Sequence, residues 1–237
     1  MQNPSLSTHN PLSNIRALYN GFDSTVTRLD CGQKCAVHNP NGKPFCCDIC
    51  QAIPAAYQAE WATLESDTNL WHTWRGNECE HTQQDEHDTL LAETPDDMLL
   101  LACLGPSLCQ RSFRILSCRQ FPFFPYVTSD YRFIGLAYDW EFEKTCWVIS
   151  NLDAVTETYR QQFIDTHEQL FAFSQEIFES YQIHSERMRA HYANEHRRIP
   201  LLHRNGGYHL ISPVSERTTR VTAEQLPQFG VLKNLDR

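Results

Sequence analysis

The chain has no stretch that a bilayer would accept. Its longest uninterrupted apolar run is Met98 to Leu104, closed by Gly105 and Pro106, against the roughly 20 residues a spanning helix needs. The opening residues have no basic start followed by an apolar run and a small-residue cleavage site, so no export signal is expected. No Asn-x-Ser/Thr glycan acceptor with a permitted middle residue occurs. The expectation is a soluble protein of a reducing compartment, the cytoplasm. Basic residues are scarce as well: 20 Lys and Arg against 29 Asp and Glu leave a net charge of -9. That balance argues against nucleic acid, whose phosphates need cations to displace counterions, so neither membrane nor nucleic acid is an expected partner. A glycine-rich dinucleotide loop, G-x-S-x-G and H-E-x-x-H are all missing, and no known catalytic pattern is legible.

Cysteine, by contrast, is abundant. A chain of 237 residues buries a sizeable core without covalent help, so its ten cysteines are not explained by a weak core. In a chain of this size free cysteines point to a metal or to redox chemistry.

Periodicity suggests an α+β fold, mainly helical, with a cysteine-rich metal-binding loop region, small β-hairpins and one long C-terminal helix. Residues 1–12, polar with two Asn-Pro steps, read as a flexible tail before Ser13 caps a short helix to Leu18 or Tyr19. Residues 13–237 read as a single domain, with a cysteine-cluster region over 30–125 and a hairpin plus long-helix region over 126–237. Residues 30–50 are rich in Gly, Pro and Asn and read as loop. Pro54 opens an expected amphipathic helix over 54–66 carrying Tyr57, Trp61 and Leu64. Residues 67–93 lack a clean period and are expected to be irregular, and Thr94 to Asp97 leads into a helix or strand over MLLLACLG. Tyr131 to Ile149 suggests strands paired around Glu143-Lys144. From Val155 to about Arg198 apolar residues repeat at three and four, which predicts one long helix stopped by Pro200. Arg187, Arg189, Arg197 and Arg198 complement its dipole at the end. Asn205-Gly206-Gly207 between two short runs signals a hairpin, and the last twenty residues read as a short helix and a tail.

Cys31-x3-Cys35 and Cys46-Cys47-x2-Cys50 flank a ten-residue loop, and Cys103-x5-Cys109-x8-Cys118 form a second group. Thiolates are the preferred ligands of zinc and of iron-sulfur clusters, which take four ligands per centre. The candidate ligands are therefore Cys31, Cys35, Cys46, Cys47, Cys50, Cys103, Cys109 and Cys118, for one centre or two. Adjacent Cys46 and Cys47 point apart on an extended backbone, so both bind only if they serve different centres or the loop turns sharply. Arg119, next to Cys118, is a candidate cofactor-binding residue that stabilises a thiolate or forms a surface salt bridge. Phe121 to Pro125 forms an apolar wall. His38 and the Cys79-Glu80-His81 run are weaker ligand candidates, and His184, His191 and His196 read as a solvated helix face. A different chemistry, thiol-disulfide exchange through Cys47-Asp48-Ile49-Cys50, lacks the strand that a redox motif of this spacing follows.

Cys46-Cys47 with the paired cysteines upstream, then Cys103, Cys109 and Cys118-Arg119-Gln120-Phe121-Pro122, resembles the bacterial cysteine-cluster proteins described as zinc- or iron-chelating, the YkgJ-type or CxxCxxCC family. The resemblance covers about residues 30–125. Here the first group is stretched by Ala36 to Phe45, and the segment from Cys109 to Cys118 lacks an Arg-Pro pair. It implies a metal-binding protein holding an iron-sulfur cluster, of the 4Fe-4S type, or zinc. It extends loosely to lysine methylases that modify flagellin and use S-adenosylmethionine, which implies an iron-sulfur-dependent enzyme as the alternative. The radical motif C-x3-C-x2-C is incomplete here, because Cys35 is followed at that distance by His38.

Overall fold

A computed structural model of the chain describes residues 10–79 and 84–232. In chain order the regular elements are α1 (Ile15–Gly21), α2 (Cys31–Ala36), β1 (Ala55–Tyr57), α3 (Gln58–Asp67), β2 (Trp71–Thr73), α4 (Gln84–Glu93), β3 (Met98–Cys103), α5 (Leu116–Gln120), β4 (Phe123–Val127), β5 (Phe133–Tyr138), α6 (Glu157–Phe173), α7 (Gln175–Asn194), β6 (Ile199–His203), β7 (Tyr208–Ile211) and β8 (Thr218–Val221). Short 3-10 turns, among them Phe45–Cys47 and Trp140–Phe142, join them. The class is α+β, with two antiparallel sheets: β1-β3-β2, and β4-β5-β6-β7-β8. No described helix is long and apolar enough to cross a membrane.

The expectation of a mainly helical chain with one long C-terminal helix is overturned. The last regular elements among the described residues are the strands β6 to β8, and the predicted helix from Val155 to Arg198 is two helices broken at Ser174. Ser174 leaves the helical region at φ -132° and ψ 117°, and its hydroxyl accepts from Ile177 N at 3.2 Å, which caps α7. The aromatic stripe explains the break. Phe171 meets Phe178 at 5.0 Å and Tyr181 at 5.9 Å between ring centres, contacts that one straight helix would not allow between positions seven and ten apart. The period of three and four continues across Ser174 because each helix buries its own apolar face.

The hairpin expected around Glu143-Lys144 is also absent. β5 pairs backwards with β4, Phe123 opposite Tyr138, while Glu143 turns inward as a buried carboxylate. It accepts from Tyr192 at 2.6 Å, Tyr138 at 3.1 Å and both terminal nitrogens of Arg197 at 2.6 and 2.9 Å. Glycines place the hairpin at Asn205-Gly206-Gly207, where β6 and β7 pair from Leu202–Tyr208 to Ile199–Ile211. The helix expected over 54–66 begins later. Residues 55–57 extend to pair with β3, and α3 starts when the Glu60 carboxylate accepts from Tyr57 N at 3.0 Å. Residues 67–93, expected to be irregular, hold β2 and α4, and the cysteine loop holds α2. Of the tail expected over residues 1–12, residues 1–9 lie outside the described residues. Pro11–Asn14 form a 3-10 turn, and Asn14 rather than Ser13 caps α1.

All of β4 and β5 is buried. Neighbouring side chains enter different clusters: Phe123, Phe133 and Tyr138 pack with Tyr159, Phe163 and Leu170 of α6. Phe124, Ile134 and Ala137 pack with Met188 and Tyr192 of α7. A strand covered in this way reads as a continuous apolar run rather than an alternation. β5 meets β6 so closely at Gly135 that a Cβ there would stand 2.2 Å from Leu202 O. Gly135→Ala is expected to lower stability by more than about 2 kcal/mol in urea unfolding, because backbone has to move.

His167 of α6 is fully buried, with Nδ1 2.8 Å from Phe163 O, and burial lowers its pKa from 6.5 to about 4. Its folded pKa lies below the unfolded value. The stability it contributes is therefore complete above about pH 6.5 and is lost as pH falls toward 4, up to about 3 kcal/mol. Proton resonances of the His167 ring are expected to stay unshifted down to pH 5, and a midpoint near 6.5 would contradict this burial.

Candidate functional site

Five cysteines line one cavity of about 200 Å³: Cys46, Cys47, Cys103, Cys109 and Cys118. They arrive from separate stretches. Cys46 and Cys47 sit on the 3-10 turn after Pro44, in a loop folded around Asp48. That carboxylate is buried and accepts from Asn41 Nδ2 at 2.6 Å, Asn39 Nδ2 at 3.2 Å and Cys50 N at 3.3 Å. The sharp turn answers the geometric objection to an adjacent pair: the two sulfurs lie 3.9 Å apart instead of on opposite sides of a strand. Cys103 ends β3 opposite Trp71 of β2, Cys109 follows the turn Pro106–Leu108, and Cys118 lies mid-way along α5.

The thiols differ in charge state. Hydrogen bonding from Cys46, aided by the Arg114 cation, lowers Cys47 to about 7 despite partial burial, while the same contact pushes Cys46 well up. Burial raises Cys103 and Cys118, and charge on Cys47 adds to both. One thiolate near neutral pH beside thiols that stay protonated is the pattern of a pocket short of positive charge. Arg114 supplies the cation: its Nε donates to Cys109 Sγ at 3.1 Å, and the thiols raise its own pKa against the effect of burial.

The other expected ligands do not line this cavity. Cys31 and Cys35 share a face of α2, with Cys35 in the core beside buried Cys146, and burial pushes all three up. Cys50 is bonded to Cys79 and so has no thiolate to offer a metal. His38 is exposed and is not among the residues lining this cavity, while Glu80 and His81 lie outside the described residues. The expected solvated face of α7 is only partly so, because His184 packs edge-on to Phe124 at 4.3 Å and stacks on Trp140 at 5.2 Å.

The role expected of Arg119 belongs to Arg114. The Arg119 side chain is 1% exposed and reaches backbone, not sulfur. It donates to the carbonyls of Arg114 at 2.7 Å, Phe22 at 2.7 Å, Arg111 at 2.9 Å, Tyr19 at 3.1 Å and Ser112 at 3.1 Å. Its guanidinium also lies 4.2 Å from the Tyr19 ring centre. Nothing in the order Cys109-x4-Arg114-x3-Cys118-Arg119 distinguishes the two arginines. Only the fold turns one toward the thiols and the other into the chain.

Among the described residues no three or more His, Cys, Asp or Glu side chains are drawn together as around a bound metal ion. No known protein family, no curated protein and no solved structure matches the chain.

The two arginines are separable by experiment. Arg119→Leu is expected to lower stability by roughly 3–5 kcal/mol, since it removes five hydrogen bonds to backbone carbonyls at once and leaves those of Phe22, Ser112 and Arg114 without the donor they have here. Arg114→Gln is expected to shift stability by no more than about 1 kcal/mol and to slow iodoacetamide alkylation of Cys47 at pH 7. Equal losses of stability in both variants would contradict this division.

Proposed function

We propose that the protein is a metal-binding protein whose thiol-lined cavity holds a metal centre, an iron-sulfur cluster in preference to zinc. The observation that carries this reading is the convergence of Cys46, Cys47, Cys103, Cys109 and Cys118 on one cavity of about 200 Å³ beside Arg114. The donor set fits: soft thiolates suit both centres. Size favours the cluster. Zinc at 2.3 Å from each sulfur draws four sulfurs to within about 4 Å of one another, and apart from the Cys46–Cys47 pair the described residues show no such close set of three or more ligands, whereas a cluster occupies the space between thiols around a cavity. Arg114 would donate to a ligating sulfur and offset its charge, the contact that tunes potential and affinity. The bound group would supply electron transfer or Lewis acidity; the chain would supply four of the thiols, deprotonated on binding, together with the Arg114 cation and the Phe121 wall that limits water. This is also where the resemblance to the YkgJ-type family points. Eight free thiols to one disulfide suit a reducing compartment, and the cytoplasm is the proposed location.

A second reading, a thiol-disulfide redox protein, is favoured by the Cys46–Cys47 pair at 3.9 Å, the low pKa of Cys47 and the Cys50–Cys79 bond close by in sequence. Anaerobic purification with iron, sulfide and zinc analysis separates the two. The cluster reading expects iron and labile sulfide with a broad visible band, lost in Cys103→Ala and Cys118→Ala and retained in Cys31→Ala. Zinc without sulfide would leave a closed structural site. Protein free of metal and sulfide that takes up two electrons per disulfide would sink the metal reading in favour of the redox one.

A further inference from the structure

A second cavity of about 490 Å³ adjoins the first, and the two share Cys46, Ala52, Pro54, Cys118 and Phe121 in their walls. Its chemistry is different. Tyr57, Phe123, Phe124, Phe142 and Tyr181 line it, together with the carboxylates Asp139 and Glu141, and no Lys or Arg is among its lining residues.

Three polar groups there have unused capacity. Asp139 is half-buried, and the one hydrogen bond its carboxylate accepts among the described residues is a long one from Glu141 N at 3.4 Å, with no cation paired to it. Ser117 Oγ is buried with no partner among the described residues. The third is Gln120, whose Oε1 is placed 3.1 Å from His167 Nε2 and 3.1 Å from the Tyr181 hydroxyl. His167 Nδ1 faces a carbonyl, which only accepts, so Nδ1 carries the proton and Nε2 of the neutral ring carries a lone pair. That lone pair requires a donor. The chemistry of the ring therefore assigns the Gln120 amide nitrogen to His167 and Tyr181, which leaves the amide oxygen free of both on a residue that lines the cavity.

A carboxylate without a counter-charge, an amide oxygen and the faces of several aromatic rings all attract the same kind of ligand. Each accepts from or attracts a cation with N–H donors, and the rings also accept an apolar body. The geometry points to a binding site for an organic ammonium compound, a protonated amine carried on an apolar or aromatic body, with Asp139 and Gln120 receiving the amine and the aromatic wall receiving the body. An anion would meet Asp139 and Glu141 with no cation to offset them. A neutral isostere would leave the half-buried carboxylate unpaired. This site stands on residues outside the set of five thiols and holds whether or not the thiol pocket carries a centre.

The test is calorimetric titration of the full chain at pH 7 with 2-phenylethylammonium and hexylammonium, each against its alcohol, and with 3-phenylpropionate. The expected result is binding of at least one ammonium about tenfold or more tighter than its alcohol and no binding of the anion. Asp139→Asn is expected to bring ammonium and alcohol to parity while iron and sulfide content stay at the wild-type level, which keeps this result separate from that for the thiol pocket. Failure of both ammonium probes, an alcohol that binds as tightly as its amine, or binding of the anion would overturn the proposal. Since the comparison of probes is made on the unaltered protein, it decides the matter even if the variant fails to fold.

Discussion

One buried guanidinium holds the cysteine-bearing segment in place. Arg119 carries its charge into the interior, where burial pulls its pKa down, and the cost is offset by five carbonyls, the Asp23 carboxylate at 3.3 Å and the face of Tyr19. Those carbonyls belong to two stretches far apart in sequence, Tyr19–Phe22 and Arg111–Arg114. The cation thus ties the end of α1 to the turn between Cys109 and Cys118. Lys, with a single point charge, would not reach so many acceptors at once; the planar fork is what this geometry uses. Glu60 completes the arrangement from the other side. Its carboxylate is fully buried and accepts from Tyr19 OH at 2.7 Å, Leu116 N at 2.7 Å and Tyr57 N at 3.0 Å. Tyr19 therefore lies between a buried cation at its face and a buried carboxyl group at its hydroxyl, and α5, which carries Cys118, is anchored at both its first turn and its last.

The position of Arg114 follows from this anchoring. Its backbone carbonyl is gripped by Arg119 while its own side chain reaches Cys109. A strained or free segment would let a long cation sample solvent; a segment pinned by several hydrogen bonds holds it over one sulfur. The low pKa of Cys47 depends in turn on that cation and on its neighbour Cys46. A chain of contacts thus runs from a residue that never touches the cavity to the charge state of a thiol inside it.

Local chemistry made some of this legible in the sequence. Asn205-Gly206-Gly207 announced its hairpin, Met98 to Cys103 formed the strand that its apolar run allowed, and five of the eight expected cysteines do line one cavity. The rest depended on tertiary contacts. Ser174 breaks a helix with neither Gly nor Pro nearby, because Phe171, Phe178 and Tyr181 gain more by packing on each other than a continuous helix would return. Glu143 and Lys144 looked like the tip of a hairpin because charged residues usually are, yet Glu143 is drawn inward by Arg197 and two tyrosines from elsewhere. β8 alternates little and is mostly exposed, so no period marked it. Cys146 is distant from both cysteine groups in sequence and joins Cys35 only through the core. The pairing of Cys50 with Cys79 spans 29 residues of separation, which no spacing rule encodes.

The shared wall between the two cavities has a thermodynamic meaning. Cys46, Ala52, Pro54, Cys118 and Phe121 face both, so a group bound on one side would rest against residues that also wall the other. Such a partition imposes reciprocity: whatever factor an occupant of the aromatic side applies to affinity on the sulfur side, an occupant of the sulfur side must return unchanged. A partition of five small or rigid residues has few internal degrees of freedom to absorb a disturbance, and it acts more as a diaphragm than as a cushion.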